Sequence, residues 1–522
     1  MQSQFNLKSK ILCLFGIILF IQASDASQSR ILRFPIEKQP SSTYSSSSSS
    51  SSSVHISGST KSLLKRDSAF LFNDGSEYII KVSIGTPPQN FTVALDTGSS
   101  DLWIPSVDCA KEECNLSRFN PEKSSSFVDT NYPFQINYGL GSAQGYYAKD
   151  TVQIGDVVVE GQQFGLASTT KDIITNGGTG SKHPPASLNV YPNGILGLGY
   201  PGLTSASGTG LGSYDPFVFN LYKQDLIDEP VFSIFMSHLE RSGWTGELLL
   251  GGVDHTRHKG ELVYVPVSYM ETRKTRPEDL LKYWMVTGQS FGVLDYQMNR
   301  GSEESGEVIL DYDLGKPRNV IIDTGTTMTY VDASLAEKLV DAAVGSGNWS
   351  YDADIEMYRV ECGVYRLDRA VEIRLSQRAM KLTSTPVVVS VPVRELVIPL
   401  GGLKRERARE CVFGIAPWIP AKDKQTNNLS GSEMILVGDS ILRATYLVFD
   451  MGKNQIGFAQ AVGTSGSVTG PVLDATLDKE PFGDQSYISS GTSLNNQKNS
   501  RTSEFIIYIF VAYFSLFSLF SL

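Results

Sequence analysis

Short apolar runs broken by Gly, Asn, Pro and Ser fill the middle of this chain, and many of them alternate apolar with polar residues. Tyr78–Ile84 (YIIKVSI), Phe91–Leu95 (FTVAL), Phe134–Gly139 (FQINYG) and Thr151–Ala167 (TVQIGDVVVEGQQFGLA) follow this pattern. It predicts antiparallel strands joined by Gly and Asn turns. Apolar residues at helical spacing are scarce. Asp215–Asp225 (DPFVFNLYKQD), with an Asp cap followed by Pro, and Ser334–Ala343 are the clearest helices. The expected fold class is therefore all-β in the broad sense, mainly β with a few helices. Two stretches rich in Gly, Ser, Thr and Pro, Thr170–Pro192 and Gly202–Ser213, are expected to be irregular surface loops.

Two runs end alike. Val93, Ala94 and Leu95 lead into Asp96 and the turn Thr97, Gly98, Ser99; Val320, Ile321 and Ile322 lead into Asp323 and the turn Thr324, Gly325, Thr326. Each run reads as a buried strand that delivers a carboxylate at its end. At about one in twenty per residue type, a given tripeptide is expected about 0.07 times in a chain this long, so a repeated Asp-Thr-Gly in one context points to a paired site. Two carboxyl groups about 3 Å apart cannot both ionise at low cost; they share a proton and titrate with split apparent pKa values. The charged partner can then take a proton and the neutral one give one, which is general acid-base chemistry without a covalent intermediate or a metal.

These motifs resemble the two active-site signatures of the pepsin-like aspartic proteases. The resemblance spans about residues 76–462 and is also carried by YIIKVSIGTPPQNFTV, INYGLGS, NGILGLGY, MILVGDSILRATYLVFD and NQIGFAQ. It implies a bilobal acid-protease fold with lobes over 67–254 and 255–462 and a cleft between them. It also implies roles for single residues: Asp96 and Asp323 as the catalytic pair, and Thr97 and Thr324 cross-linking the two motif loops. Ser99 and Thr326 would hold the outer carboxylate oxygens, with Gly98 and Gly325 completing the motifs. Tyr138 and Gly139 would form the tip of a flap over the substrate, with Trp103 as the hydrogen-bond partner of Tyr138. NGILGLGY would clamp the strand before Asp96. Leu140 departs from the family pattern, standing where threonine is common.

Charge and cysteine content add the setting. The 522-residue chain is 41% hydrophobic, long enough for two cores. Its net charge is −10, but residues 1–66 contribute +6 and residues 492–522 contribute +1, which leaves −17 for residues 67–491. Such a surface disfavours nucleic acid and could attract basic peptides; it also serves solubility. Beyond Cys13, four cysteines remain, Cys109, Cys114, Cys362 and Cys411, an even number suited to disulfides in an oxidising compartment. Three pairings are open; the preferred one joins Cys109 with Cys114 and Cys362 with Cys411. The spacing of the first two and the lack of nearby histidines argue against zinc, and no metal or cofactor is expected.

The chain ends suggest targeting. Lys8 and Lys10 precede the apolar run Ile11–Ile21, the order of a secretory signal peptide over residues 1–26. Residues 27–66 are polar, with a serine tract from Ser45 to Ser53 that cannot fold alone, and close on the dibasic pair Lys65 and Arg66, as a propeptide would. Residues 463–491 read as a Ser/Thr/Gly-rich stalk. Residues 492–522 carry a terminal apolar tail that fits a GPI attachment signal, with Gly491 as the ω site. Sequons at Asn90, Asn115, Asn348 and Asn428 offer N-glycan sites.

Together these segments resemble the fungal yapsins, which cut after Lys or Arg. The resemblance implies a monomeric enzyme at the cell surface or in the cell wall, held to the membrane by a GPI anchor. It would act on peptide and protein substrates and prefer Lys or Arg at P1. The strongly acidic insertion of some yapsins is absent; only Asp108, Glu112 and Glu113 lie in the corresponding loop. Two other readings stand beside this one: a catalytically silent surface or wall protein of the same fold, and a degradative protease of the vacuole. His238, His255 and His258 have no adjacent nucleophile pattern, and no catalytic role is expected of them.

Overall fold

In the computed structural model the described residues are 32–38 and 244–245, by their backbone alone, and 78–138, 141–171, 173, 192–236, 246–269, 280–296, 306–400, 405–418 and 434–472. Lys65, Arg66, Gly139, Leu140, His238, Asn428 and Gly491 lie outside them, as do the expected signal peptide, the serine tract, most of the stalk and the apolar tail.

Alternating sequence gives a structure dominated by strands. The larger sheet has thirteen, in the order His258–Pro266, Gln455–Ala461, Thr445–Asp450, Val231–Met236, Trp244–Leu250, Leu32–Lys38, Tyr78–Ile84, Gln89–Asp96, Gly194–Gly197, Leu102–Pro105, Val157–Lys171, Ser142–Ile154 and Val128–Asn137. Its first three strands come from the second lobe, beyond residue 255, so this sheet joins the lobes. An eight-stranded sheet of the second lobe includes Glu307–Ile322, Met285–Asp295 and Met434–Val437. A third sheet of four short strands carries Cys411.

The two motif strands are held in the same way. Gln89–Asp96 pairs in parallel with Gly194–Gly197, and the end of Glu307–Ile322 pairs in parallel with Met434–Val437. Strands buried on both faces read as continuous apolar runs. Val93 and Leu95 on one side, and Val320, Ile321 and Ile322 on the other, are all buried. Below them an aromatic block joins the lobes: buried Trp284 packs on Tyr200, Phe232 and Phe449 with centroids 4.5, 5.7 and 5.1 Å away. Its indole donates to the Leu198 carbonyl at 2.9 Å. A large aromatic that also finds a polar partner contributes both area and orientation, which holds the two motif strands in one frame.

Several elements differ from the sequence reading. Leu32–Lys38 falls in the segment read only as a polar propeptide, yet it forms a strand between Trp244–Leu250 and Tyr78–Ile84, pairing Leu32 with Leu250 and Lys38 with Tyr78. Its alternation was readable, but Pro35 lacks an N–H for the ladder and argues against a central strand. The first helix spans Phe217–Lys223 with Pro216 at its N-cap and no side-chain cap; Asp215 instead bonds Lys223 at 2.5 Å. The second, Ala333–Val344, covers the expected Ser334–Ala343 and starts on a capping aspartate, Asp332, which accepts from the Ser334 amide at 3.0 Å. Gly202–Ser213 is not a wholly exposed loop: it holds a 3-10 turn, Ser205–Gly208, and buries Leu203 and Ala206.

Both preferred disulfides are present, Cys109–Cys114 and Cys362–Cys411. Asn90 is exposed and accepts from the Ser83 hydroxyl at 2.7 Å, within a strand rather than in the turn. Asn115 is exposed; Asn348 is half-buried and donates its amide to the Val344 carbonyl at 2.8 Å.

Candidate active site

Asp96 is the last residue of its strand and Asp323 follows directly on Ile322, so each parallel pair ends by presenting one carboxyl group. The turns that follow point backbone amides at those groups. Asp96 Oδ1 accepts from the Gly98 amide at 2.8 Å, and Asp323 Oδ1 accepts from the Gly325 amide at 2.8 Å. The second oxygens are held by hydroxyls, Ser99 on Asp96 and Thr326 on Asp323, the latter at 2.6 Å.

The two turns lock onto one another. Thr97 Oγ1 donates to the Ile322 carbonyl at 2.7 Å and accepts from the Thr324 amide at 3.0 Å. Thr324 Oγ1 donates to the Leu95 carbonyl at 3.3 Å and accepts from the Thr97 amide at 3.3 Å. This exchange brings each carboxyl against the opposite motif glycine, so that the two groups stand side by side. The motif glycines make the approach possible: a Cβ on Gly98 would lie 2.7 Å from the Asp323 carboxyl, and one on Gly325 would lie 2.5 Å from Asp96 Oδ1.

Asp96 and Asp323 are 3% and 1% exposed, too dry for two charges side by side. Burial pushes the Asp96 carboxyl up, against the pull of its bonds from Ser99 and the backbone amides. Burial followed by the charge on Asp96 pushes Asp323 well above the usual carboxylate range. The pair therefore keeps one proton where isolated carboxyls would have lost theirs.

Tyr138 sits at the end of the hairpin formed by Val128–Asn137 and Ser142–Ile154, and the fully buried Trp103 donates its indole N–H to the Tyr138 hydroxyl at 2.9 Å. Burial, then the charge on Asp96, keeps that phenol protonated. Sequence reasoning missed Tyr283. It is 8% exposed in the apolar cluster that contains Trp103 and Met328, and burial together with the charges of Asp323 and Asp96 raises its phenol well above the ordinary value. Its only sequence signal was an aromatic ahead of a strand, which does not distinguish a site wall from a core residue. His255 and His258 pair with each other at 3.1 Å on the exposed segment between the lobes. The acidic loop residues have local partners: Asp108 bonds Ser106, and Glu113 accepts from the Thr170 amide.

Comparison with known proteins agrees with this geometry. The model of the eukaryotic aspartyl protease family matches residues 77–461. Mucorpepsin of Rhizomucor miehei is 32% identical over 388 residues, covering 74% of this chain and 78% of its own. Pepsin A of Canis lupus familiaris is 30% identical over 388 residues, covering 73% and 81%. Gastricsin of Mus musculus is 29% identical over 392 residues, covering 74% and 81%. The chain belongs to the eukaryotic aspartyl protease family. It is an aspartic endopeptidase of the pepsin type, built on the bilobal, mainly β fold of that family.

Proposed function

We propose that Asp96 and Asp323 are the catalytic dyad of this endopeptidase. The observation that carries the reading is their reciprocal contact: each carboxyl abuts the opposite motif glycine and is held by its own amide and hydroxyl. Held so, the ionised partner takes a proton from a bound water, whose oxygen attacks the peptide carbonyl carbon. The protonated partner gives its proton to the carbonyl oxygen, and collapse of the tetrahedral intermediate passes a proton to the leaving nitrogen. Ser99 and Thr326 keep the outer oxygens occupied and the inner ones aimed at the substrate. The Tyr138 hairpin acts as the flap. Asp96→Asn and Asp323→Asn proteins, each folded and each inactive on an unstructured peptide, are the test.

The same proposal includes delivery. Residues 1–26 direct secretion, cleavage after Arg66 removes residues 27–66, and a GPI anchor at Gly491 holds a monomeric enzyme at the membrane or wall. The order of these segments along the chain supports this. Release of the protein from membranes by a phosphatidylinositol-specific phospholipase tests it. A preference for Lys or Arg at P1 is supported by the −17 charge of residues 67–491. A second reading, an apolar P1 residue, is favoured by the half-buried Tyr138, Leu211, Tyr214, Ile355 and Trp418, which belong to one apolar cluster with Trp103 and Tyr283. Cleavage of a peptide library by the purified ectodomain separates the two.

A further inference from the structure

Asp101 lies just past the first motif, fully buried, and has no part in the reaction described above. Its Oδ1 accepts hydrogen bonds from the hydroxyls of Tyr147 and Tyr214, each at 2.8 Å, and its Oδ2 accepts from the Ser205 amide at 2.8 Å. The donors come from three separate segments. Tyr147 is on Ser142–Ile154, the second arm of the flap hairpin; Tyr214 precedes the Phe217–Lys223 helix; Ser205 opens a 3-10 turn. The rings of Tyr147 and Tyr214 meet edge to face at 5.8 Å, and Tyr147 meets Phe134 of the other flap arm at 5.2 Å. On its backbone side Asp101 is tied to the motif strand's neighbour, accepting from the Gly197 amide at 3.1 Å. Tyr214 and Tyr138 pack half-buried against the same apolar cluster as Trp103 and Tyr283.

We propose that Asp101 is a positioning residue for the flap: by gripping Tyr147 and Tyr214 it fixes the base of the hairpin and the Tyr214 wall against the catalytic loop, and so sets substrate affinity. The proposal rests on Asp96 and Asp323 being the dyad and on the Tyr138 hairpin being the flap. Donors shielded from water lose most when their acceptor is withdrawn; Tyr147 is fully buried and Tyr214 and Ser205 are half-buried, so one carboxylate serving all three is a strong tie between segments.

The grip depends on charge. A carboxylate offers lone pairs to all three donors, whereas a protonated carboxyl turns an O–H toward at least one of them, and that bond is lost or reversed. Burial pushes the Asp101 carboxyl up, and its bonds from Ser205, Tyr147 and Tyr214 pull it back only in part. The titratable groups facing it are the phenols of Tyr147 and Tyr214, with that of Tyr138 feeling its charge; burial keeps all three protonated. The tie is thus whole above the raised pKa of Asp101 and weakens as pH falls through it.

The test is steady-state kinetics across pH for wild type, Asp101→Asn, Tyr147→Phe and Tyr214→Phe on an unstructured peptide, with Asp96→Asn in parallel. Asparagine keeps the shape but presents N–H to one donor, as the protonated acid does. Asp101→Asn should raise KM about tenfold where wild type binds tightest, with kcat changed less than about twofold, and should abolish the wild-type rise of KM on acidification. Each Tyr→Phe protein should raise KM about threefold and move the inflection to higher pH, because the carboxylate has lost a donor. If Asp101→Asn fails to fold, the two tyrosine variants decide. KM profiles that overlay wild type, or a loss confined to kcat, overturn the proposal. An Asp96→Asn protein with undiminished kcat overturns the dyad reading instead.

Discussion

Thr97 and Thr324 hold each other across the two halves of the chain, each hydroxyl accepting the other's backbone amide while donating to the carbonyl that precedes the opposite aspartate. Both are buried, so the exchange is shielded from water. It leaves the carboxyls little freedom to separate without breaking four bonds together.

Replacing either threonine by valine keeps the volume and removes the hydroxyl. Thr97→Val and Thr324→Val should each cost about 1–3 kcal/mol of stability, because the partner groups stay buried and unpaired. The double variant should cost less than the sum, since both bonds belong to one network. Denaturant midpoints of the two singles and the double check this.

Alanine at the motif glycines should separate chemistry from stability. The Cβ of Gly98→Ala or Gly325→Ala would press on the opposite carboxyl, at 2.7 and 2.5 Å respectively. A displacement of about 1 Å at the reacting groups is worth about 100-fold in rate, so kcat should fall by about that factor with KM little changed. Initial-rate kinetics on a single peptide read both numbers.

Burial raises the carboxyls of Asp96, Asp101 and Asp323 above their unfolded values. Between those unfolded values and the raised ones the native state binds more protons than the unfolded chain, and stability falls as pH rises through that window. The protein should be more stable at about pH 4 than at about pH 7 as far as these three groups decide it, and Asp323→Asn should flatten the decline. Unfolding free energies at the two pH values, for wild type and variant, test the sign.

The two disulfides should differ in weight. Cys362 and Cys411 are 49 residues apart, Cys109 and Cys114 only 5. Loop-closure entropy gives about 4 kcal/mol for the longer loop and about 2 kcal/mol for the shorter. Serine pairs at each bridge, compared by denaturant midpoint, should show that order.

The motif turns, the strands that feed them and both helices were legible because each is specified locally: an apolar run, a turn triplet, apolar residues at helical spacing. Asp101 and Tyr283 were not, since their surroundings are assembled from distant segments. Ser205 and Tyr214 reach Asp101 from more than a hundred residues away in sequence. Leu32–Lys38 was hidden for another reason: its ladder partners, Tyr78–Ile84 and Trp244–Leu250, come from the two ends of the first lobe, and Pro35 weakens the strand signal that its alternation carries. The Asp215 cap failed because the helix starts one residue later, with Pro216 at the N-cap position, and Asp215 bonds Lys223 instead.

The central claim is that Asp96 and Asp323 act as one proton-sharing pair. Its most direct measurement is kcat/KM at acidic pH for purified wild type, Asp96→Asn and Asp323→Asn, with folding of each checked by circular dichroism. The account predicts that either substitution alone lowers kcat/KM by at least about 1,000-fold in a folded protein, because neither carboxyl can both activate water and protonate the carbonyl. A folded single variant that keeps a tenth or more of wild-type kcat/KM would contradict it.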